Sequence, residues 1–384
     1  MKIGIDIRCL AQGKRSGVEE YTLGLLQELF KLDTRNEYVL FLNSFKRPRI
    51  DLGGLLSYPN VKLKLLRFPN KLLNFCFWYL GWPHADKLIG GVDVFFMPNI
   101  QFIALSSKAK LVLTMHDLSF EILPHTFSFK RRLWHMFVSP RRLAKKADLV
   151  VAISDSTRAD ILARYGLAPE KVVRIYNGVA ESFGPIDRND PRLLAVKEKY
   201  RLPFSFILSL STIEPRKNIE SLASAFDVFK KTALPAEERT KLVIAGAKGW
   251  KTRAIFDKLR RAKYTDDILY IGAVADEDKP YVYNLASLFV YPSHLEGFGL
   301  PVLEAMKCAV PVVSSHTSSL GEVVGGGGIL VDPDRPDELA QAMRQLLKDK
   351  DLQANLAEAQ RWQAFRFSWR QSAREFLDAI AKIM

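Results

Sequence analysis

Two glutamates, Glu296 and Glu304, stand on either side of a glycine-rich turn in the stretch FVYPSHLEGFGLPVLEAMKCAVPVV, Phe289 to Val313. The apolar run before the turn reads as a strand. Gly297, Phe298 and Gly299 leave room for a tight bend, and Pro301 suits the first turn of a helix. A helix start exposes unpaired backbone N–H groups and favours negative charge, so a phosphate could settle against Phe298, Gly299 and Leu300. Carboxylates beside an anion site need a different role, and accepting hydrogen bonds from sugar hydroxyls is one that fits. The plain alternative is a glutamate acting as a dipole partner at a helix start, since Gly-x-Gly turns are common in α/β proteins.

A second group is Glu-Pro-Arg-Lys-Asn, residues 214–218, close behind an apolar run. A basic pair after a turn is usually just solvated. At the carboxyl end of a strand, however, Arg216 and Lys217 could neutralise the charge that gathers on a departing phosphate group. His116 follows another apolar run, where a lone histidine is more often packed and hydrogen-bonded than catalytic. Asp117 beside it suits a loop-orienting or capping role.

These residues need a scaffold, and the rest of the chain predicts a repeating one. Strand candidates are 2–7, 38–42, 61–66, 92–97, 110–115, 149–154 and 171–176, with helical stretches between them such as 17–32 and 155–166, the latter closed by Gly166. After the polar, turn-rich segment 177–192 the alternation restarts, with strands at 204–210, 241–246, 268–272, 288–292, 310–315 and 328–332. Strands alternating with helices imply parallel, doubly wound sheets. The expected fold class is therefore α/β with two Rossmann-like domains, residues 1–180 and 190–361. Ligands bind at the carboxyl ends of such strands, so the active site is expected in the cleft where the domains face each other.

A chain of 384 residues is long enough for two domains at roughly 150 residues each. Its 48% hydrophobic and 26% charged residues are those of a soluble globular protein. The start, MKIGIDIRCL, runs straight into a strand pattern with no signal-peptide core, and the longest greasy stretch, Leu72 to Pro83, is short of the roughly 20 residues a spanning helix needs. A cytoplasmic location is expected. Three scattered cysteines suggest free thiols and no structural metal.

Charge is uneven. Residues 1–180 hold 27 Lys and Arg against 15 Asp and Glu, and residues 181–384 hold 29 against 27, so +12 of the net +14 lies in the first half. Such an excess points to an anionic partner, a membrane surface or a phosphate-bearing acceptor, with nucleic acid as the rival. The stretch 127–148 interleaves Lys130, Arg131, Arg132, Arg141, Arg142, Lys145 and Lys146 with Leu133, Trp134, Met136, Phe137 and Val138. That composition suits an interfacial helix, and the aromatics of NKLLNFCFWYLGWP suit a headgroup layer. Together they support an enzyme peripheral on the inner face of a membrane. A buried helix with a solvated basic face is the plain alternative.

The chain as a whole resembles glycosyltransferase family 4, retaining enzymes of the GT-B fold, and within it the mannosyltransferases of surface-polysaccharide assembly. The resemblance rests on SGVEEYT (16–22), TMHDLSF (114–120), VVAISDSTRADIL (150–162), EPRKN (214–218), YIGAVADED (270–278), PSHLEGFGLPVLEAM (292–306) and FSWRQSARE (367–375). It implies that Glu304 holds the ribose hydroxyls of a nucleotide and that Glu296 lies by the transferred sugar. The helix start between them, with Gly297, Phe298, Gly299 and Leu300, takes the diphosphate. It further implies that Lys217 neutralises the leaving group and that His116 touches the donor sugar. Val274 meets the base, and Gly246 closes a strand beside the donor. Relatives often carry a glycine and an arginine where this chain has Ser211 and Thr212, and Arg216 could stand in for that arginine. Gly17 is the one donor-site position carried over from the first loop, because Glu19 and Glu20 replace the second glycine and the arginine usual there. A C-terminal helix, 362–384, is expected to cross back to the first domain.

The expected activity is thus a metal-independent, retaining hexosyl transfer, by a front-face route in which the departing diphosphate helps deprotonate the acceptor. The donor is GDP-mannose, or alternatively a UDP-sugar, and the acceptor is a glycan or lipid-pyrophosphate-linked saccharide. No cofactor beyond the donor is expected, and no Asp-x-Asp cluster is taken as part of the site. More distant rivals are a nucleotide-sugar 2-epimerase and a basic binding module. No nucleic-acid partner is expected, for want of any recognisable motif, and a dinucleotide dehydrogenase is disfavoured because no Gly-x-Gly-x-x-Gly follows the first strand.

Overall fold

The computed structural model describes residues 1–12, 16–45, 52–232, 235 and 237–384. The chain divides into two compact units. One comprises Met1–Leu118, Phe129–Gly178 and Phe367–Met384, and the other Ser119–Ser128 and Val179–Arg366.

The first unit is built on seven strands: β1 (Lys2–Asp6), β2 (Glu37–Asn43), β3 (Val61–Leu66), β4 (Val94–Met97), β5 (Lys110–Met115), β6 (Leu149–Ala152) and β7 (Val172–Arg174). They lie in the order β3-β2-β1-β4-β5-β6-β7, and every pairing is parallel. Both faces of such a sheet are covered, which is why β2, β4 and β6 read as apolar runs and are buried along nearly their whole length. The strand expected to reach residue 154 stops at Ala152, because Ser154 turns to cap the next helix. Its hydroxyl accepts from the Thr157 N–H at 3.0 Å. That helix, Asp155–Tyr165, ends at Gly166 with φ 62°.

The last helix, Trp369–Ala381, belongs to this unit. Trp369 sits where a Cβ on Gly24 would come within 2.4 Å of its ring and one on Gly178 within 2.1 Å of its backbone. The Phe376 ring lies 4.4 Å from that of Phe96 on β4, and the Ser372 hydroxyl donates to the Tyr176 carbonyl at 2.5 Å.

The second unit repeats the plan with β8 (Phe206–Leu210), β9 (Lys241–Ala245), β10 (Ile268–Gly272), β11 (Leu288–Tyr291), β12 (Val312–Ser315) and β13 (Ile329–Val331). The order is β10-β9-β8-β11-β12-β13, again parallel throughout. Its core gathers Ile207, Phe226, Leu242, Leu288, Val290 and Met343. Residues 119–128 are tied in through Trp250, whose indole donates to the Thr126 carbonyl at 2.8 Å and stacks on Phe127 at 5.6 Å. No helix among the described residues is long and apolar enough to cross a membrane.

Candidate active site

In the second unit β8 and β11 are neighbours, and the chain leaves them toward opposite edges of the sheet. That is the topological switch point, where an open α/β sheet leaves a crevice beyond its strand ends. The loops following these two strands carry the charged residues singled out above.

After β8, a short turn at Pro215–Lys217 presents Arg216 and Lys217, and Asn218 ends it in the left-handed region at φ 54°. The Asn218 amide donates to the Pro333 carbonyl at 2.7 Å, which pins the turn. After β11, the Ser293 hydroxyl and the His294 N–H both donate to the Arg216 carbonyl, each at 3.0 Å, which joins the two loops. The side chains then close a buried ionic cluster. Lys217 Nζ donates to Glu296 Oε1 at 2.6 Å and to the Tyr291 hydroxyl at 2.7 Å. Arg216 Nη1 reaches Glu296 Oε2 at 3.2 Å and the Leu295 carbonyl at 2.8 Å, and its Nε and Nη2 donate to Glu214 Oε1 at 3.1 and 3.0 Å.

The electrostatics follow from burial. Enclosure alone would raise the Glu296 carboxyl, but Arg216 and Lys217 outweigh it and hold the group at about 2. Burial pulls Lys217 below the ordinary lysine range, with Glu296 opposing. Burial and then the Glu296 charge push Tyr291 well above its ordinary value, so it remains a neutral phenol.

The helix expected after the turn is Leu300–Lys307, with Gly299 as its N-cap at φ 109°. The left-handed backbone favours glycine there, and a Cβ on Gly299 would in addition come within 2.7 Å of the end of the Leu320 side chain, which would have to shift. The approach is fixed by two serines. Ser318 Oγ accepts from the Glu296 N–H at 2.8 Å, and the Ser319 hydroxyl faces the carbonyls of Glu296 and Phe298 at 2.9 and 2.8 Å. Val302 and Leu303 N–H both return to the Gly299 carbonyl. The N–H groups of Gly299 and Leu300 have no partner among the described residues.

Further along the same helix, Glu304 is 1% exposed. The Tyr283 hydroxyl donates to its Oε2 at 2.7 Å, while Oε1 is buried with no hydrogen-bond partner. Burial, then the charge of Glu304, holds Tyr283 protonated. An unmatched carboxylate oxygen and two open N–H groups therefore share the first turns of one helix.

Gly246 follows β9 at φ 138°, and a Cβ there would lie 1.7 Å from the Ser211 carbonyl oxygen. It therefore serves first to let the loops after β8 and β9 pass. Ser211 is buried and Thr212 exposed beside it, while Val274 is half-buried just past β10.

In the first unit, His116 follows β5 and donates from Nε2 to the Pro98 carbonyl at 2.8 Å. Burial lowers its pKa below the ordinary value, so the ring is neutral and Nδ1 keeps its lone pair. The Tyr21 ring meets it edge-on at 4.9 Å. Gly17 opens the Gly17–Leu32 helix with nothing within 4 Å of a Cβ built on it, so no contact among the described residues requires glycine there. Glu19 fits poorly in an anion-binding loop, and the fold explains it otherwise. Its carboxylate accepts from the Ser16 N–H at 3.1 Å and from the Ser16 hydroxyl, closing the helix start.

Glu214, Tyr283, Tyr291, Ser318 and Ser319 complete the site without having been marked by sequence pattern. Glu214 lies inside the quoted motif, two residues before Arg216. The others pair with partners about 20 to 75 residues away, which no local pattern announces.

Two parallel-sheet α/β domains of this kind define the GT-B class of glycosyltransferases. Anabaena HepE, solved in complex with UDP and glucose, shares the fold with a TM-score of 0.73 at 20% identity over 99% of both chains. Residues 15–183 match the model for Glycosyltransferase Family 4, and residues 196–363 that for Glycosyl transferases group 1. O-antigen chain mannosyltransferase B of Escherichia coli is 34% identical over 273 residues, 70% of this chain and 70% of that protein. The serotype-specific mannosyltransferase WbdA of Escherichia coli is 33% identical over 62% of this chain, a match spanning 29% of the longer WbdA. The chain belongs to glycosyltransferase family 4, and its activity is glycosyl transfer.

Proposed function

We propose that this protein is a retaining, metal-independent mannosyltransferase that takes mannose from GDP-mannose and extends a lipid-linked or surface glycan at a membrane face. The observation that carries the donor site is Glu304, whose bare Oε1 suits a pair of ribose hydroxyls while the Gly299 and Leu300 N–H groups suit the diphosphate. The choice of mannose and of a surface polysaccharide is supported by the mannosyltransferase B relative.

In the proposed reaction the bond from the sugar C1 to the diphosphate oxygen breaks, and the acceptor oxygen bonds to C1 on the same face. The acceptor proton passes to the departing diphosphate, giving the mannoside and GDP. Lys217 and Arg216 offset the charge on the leaving group, for which they exchange part of their hold on Glu296. Glu296, ionised at neutral pH, faces the positive character that develops on the sugar. His116 Nδ1 accepts from a sugar hydroxyl.

The Asp-x-Asp spacings at Asp276/Asp278 and Asp332/Asp334 are not assigned to a metal. Asp278 is held by Lys199 at 2.6 Å and by Tyr200 at 2.7 Å, and Asp276 by Lys279 at 2.6 Å. Transfer that survives EDTA supports this; transfer abolished by EDTA and restored by manganese overturns it. Thermal shift with GDP, UDP, dTDP, ADP and their sugars tests the donor, since a ligand at about 100 times its Kd adds about 2.7 kcal/mol. Stabilisation by GDP and GDP-mannose alone is expected, and preference for UDP would replace mannose by glucose or N-acetylglucosamine.

A further inference from the structure

We infer that the first unit docks on an anionic phospholipid bilayer through one surface made by residues 70–82 and 129–138, with aromatic rings entering the boundary between headgroups and acyl chains. The inference rests on the membrane-face reading above and names the surface responsible. Leu72, Phe75, Trp78, Tyr79, Leu80 and Trp82 are all exposed, Tyr79 by 70% and Trp82 by 63%. On the Phe129–Val138 helix Phe129, Met136 and Phe137 are exposed too. The two segments are one surface, because the Trp78 and Phe137 rings meet at 5.0 Å, and Phe75 stacks on Tyr79 at 5.5 Å.

Rings that pack on one another yet stay in water form a contiguous apolar patch of the kind a soluble monomer rarely shows. Its surroundings decide the partner. Lys71, Lys130, Arg131, Arg132, Arg141 and Arg142 are exposed on the same two segments and the helix that follows, and neither 67–84 nor 127–147 contains an aspartate or a glutamate. Tryptophan and tyrosine favour the interfacial layer, and basic residues beside them favour lipid phosphates. A protein partner would have to match both a greasy crest and an unrelieved positive field, which an anionic bilayer supplies everywhere.

The test is co-sedimentation of the full chain with phosphatidylcholine vesicles, with and without phosphatidylglycerol. Wild-type binding should require phosphatidylglycerol and weaken at high salt. The paired variant Trp78→Ser/Tyr79→Ser should lower partitioning by about a hundredfold or more, as loss of two buried rings implies. The charge-reversed variant Lys130→Glu/Arg131→Glu/Arg132→Glu should lower it by about a hundredfold or more. Unchanged partitioning of either variant overturns the inference while leaving membrane association standing. A wild type that ignores anionic vesicles overturns both. Dimers in sedimentation velocity that Trp78→Ser/Tyr79→Ser abolishes would assign the patch to a second copy and overturn it as well. Transfer to a soluble saccharide should be the same in all three proteins, which keeps this test separate from that of the transfer reaction.

Discussion

A buried carboxylate oxygen without a partner is costly, and Glu304 Oε1 is one. In the proposed donor site, the ribose hydroxyls of the nucleotide would offset that cost. Glu304→Gln, which keeps the shape but loses the charge, should therefore raise KM for the donor. A charged hydrogen bond is worth about 1.5–3 kcal/mol, so kcat/KM should fall by roughly 10- to 150-fold. Steady-state kinetics check this, and an unchanged KM contradicts it. Lys217 is different, because the residue proposed to meet the leaving group also holds the buried Glu296. Lys217→Ala strips Glu296 of its nearest cation and should cost about 3–5 kcal/mol in urea unfolding, the cost of breaking a buried pair. Lys217→Arg should recover much of that stability without recovering full kcat. The same cluster sets a pH dependence. Glu296 has an ordinary value of 4.5 and is held at about 2, so its contribution is complete above about 4.5 and is lost as pH falls toward 2. Over that window the loss is on the order of 3 kcal/mol. Urea midpoints measured between about pH 6 and pH 3 should decline, and more steeply than in Glu296→Gln.

At the scale of elements, both sheets were legible because parallel strands buried on two faces leave continuous apolar runs. The thirteen strands described fall within a few residues of their expected places. At Ser154 the end moved because the side chain had another use, capping the next helix. The Leu300–Lys307 helix was legible from glycine and proline; what holds its entrance was not, because Ser318, Ser319 and Tyr283 reach it across the fold. Likewise nothing local marks 119–128 as part of the second unit, since that depends on Trp250. Gly299→Ala meets both a left-handed backbone and Leu320. It should lower Tm and, in the protein that remains folded at low temperature, weaken GDP binding in calorimetry by more than about tenfold, an effect of about 1.4 kcal/mol or more. Undiminished GDP affinity would detach the helix start from the donor.

For the molecule as a whole, the chain is not two beads in sequence. Residues 367–384 complete the first unit, with Trp369 seated against Gly24 and Gly178. Removing them should expose that apolar surface and give an insoluble chain, whereas Trp369→Phe should remain soluble with a lower Tm; full truncation of a large buried ring costs about 3 kcal/mol or more. A truncated chain that stays soluble with an unchanged Tm would contradict this.

The most direct measurement is NMR of the product formed from GDP-mannose and a soluble saccharide acceptor. One new mannoside with the anomeric configuration of the donor is expected, together with release of GDP. An inverted linkage would contradict the front-face route, and epimerised nucleotide sugar with no glycoside would contradict the transferase reading itself.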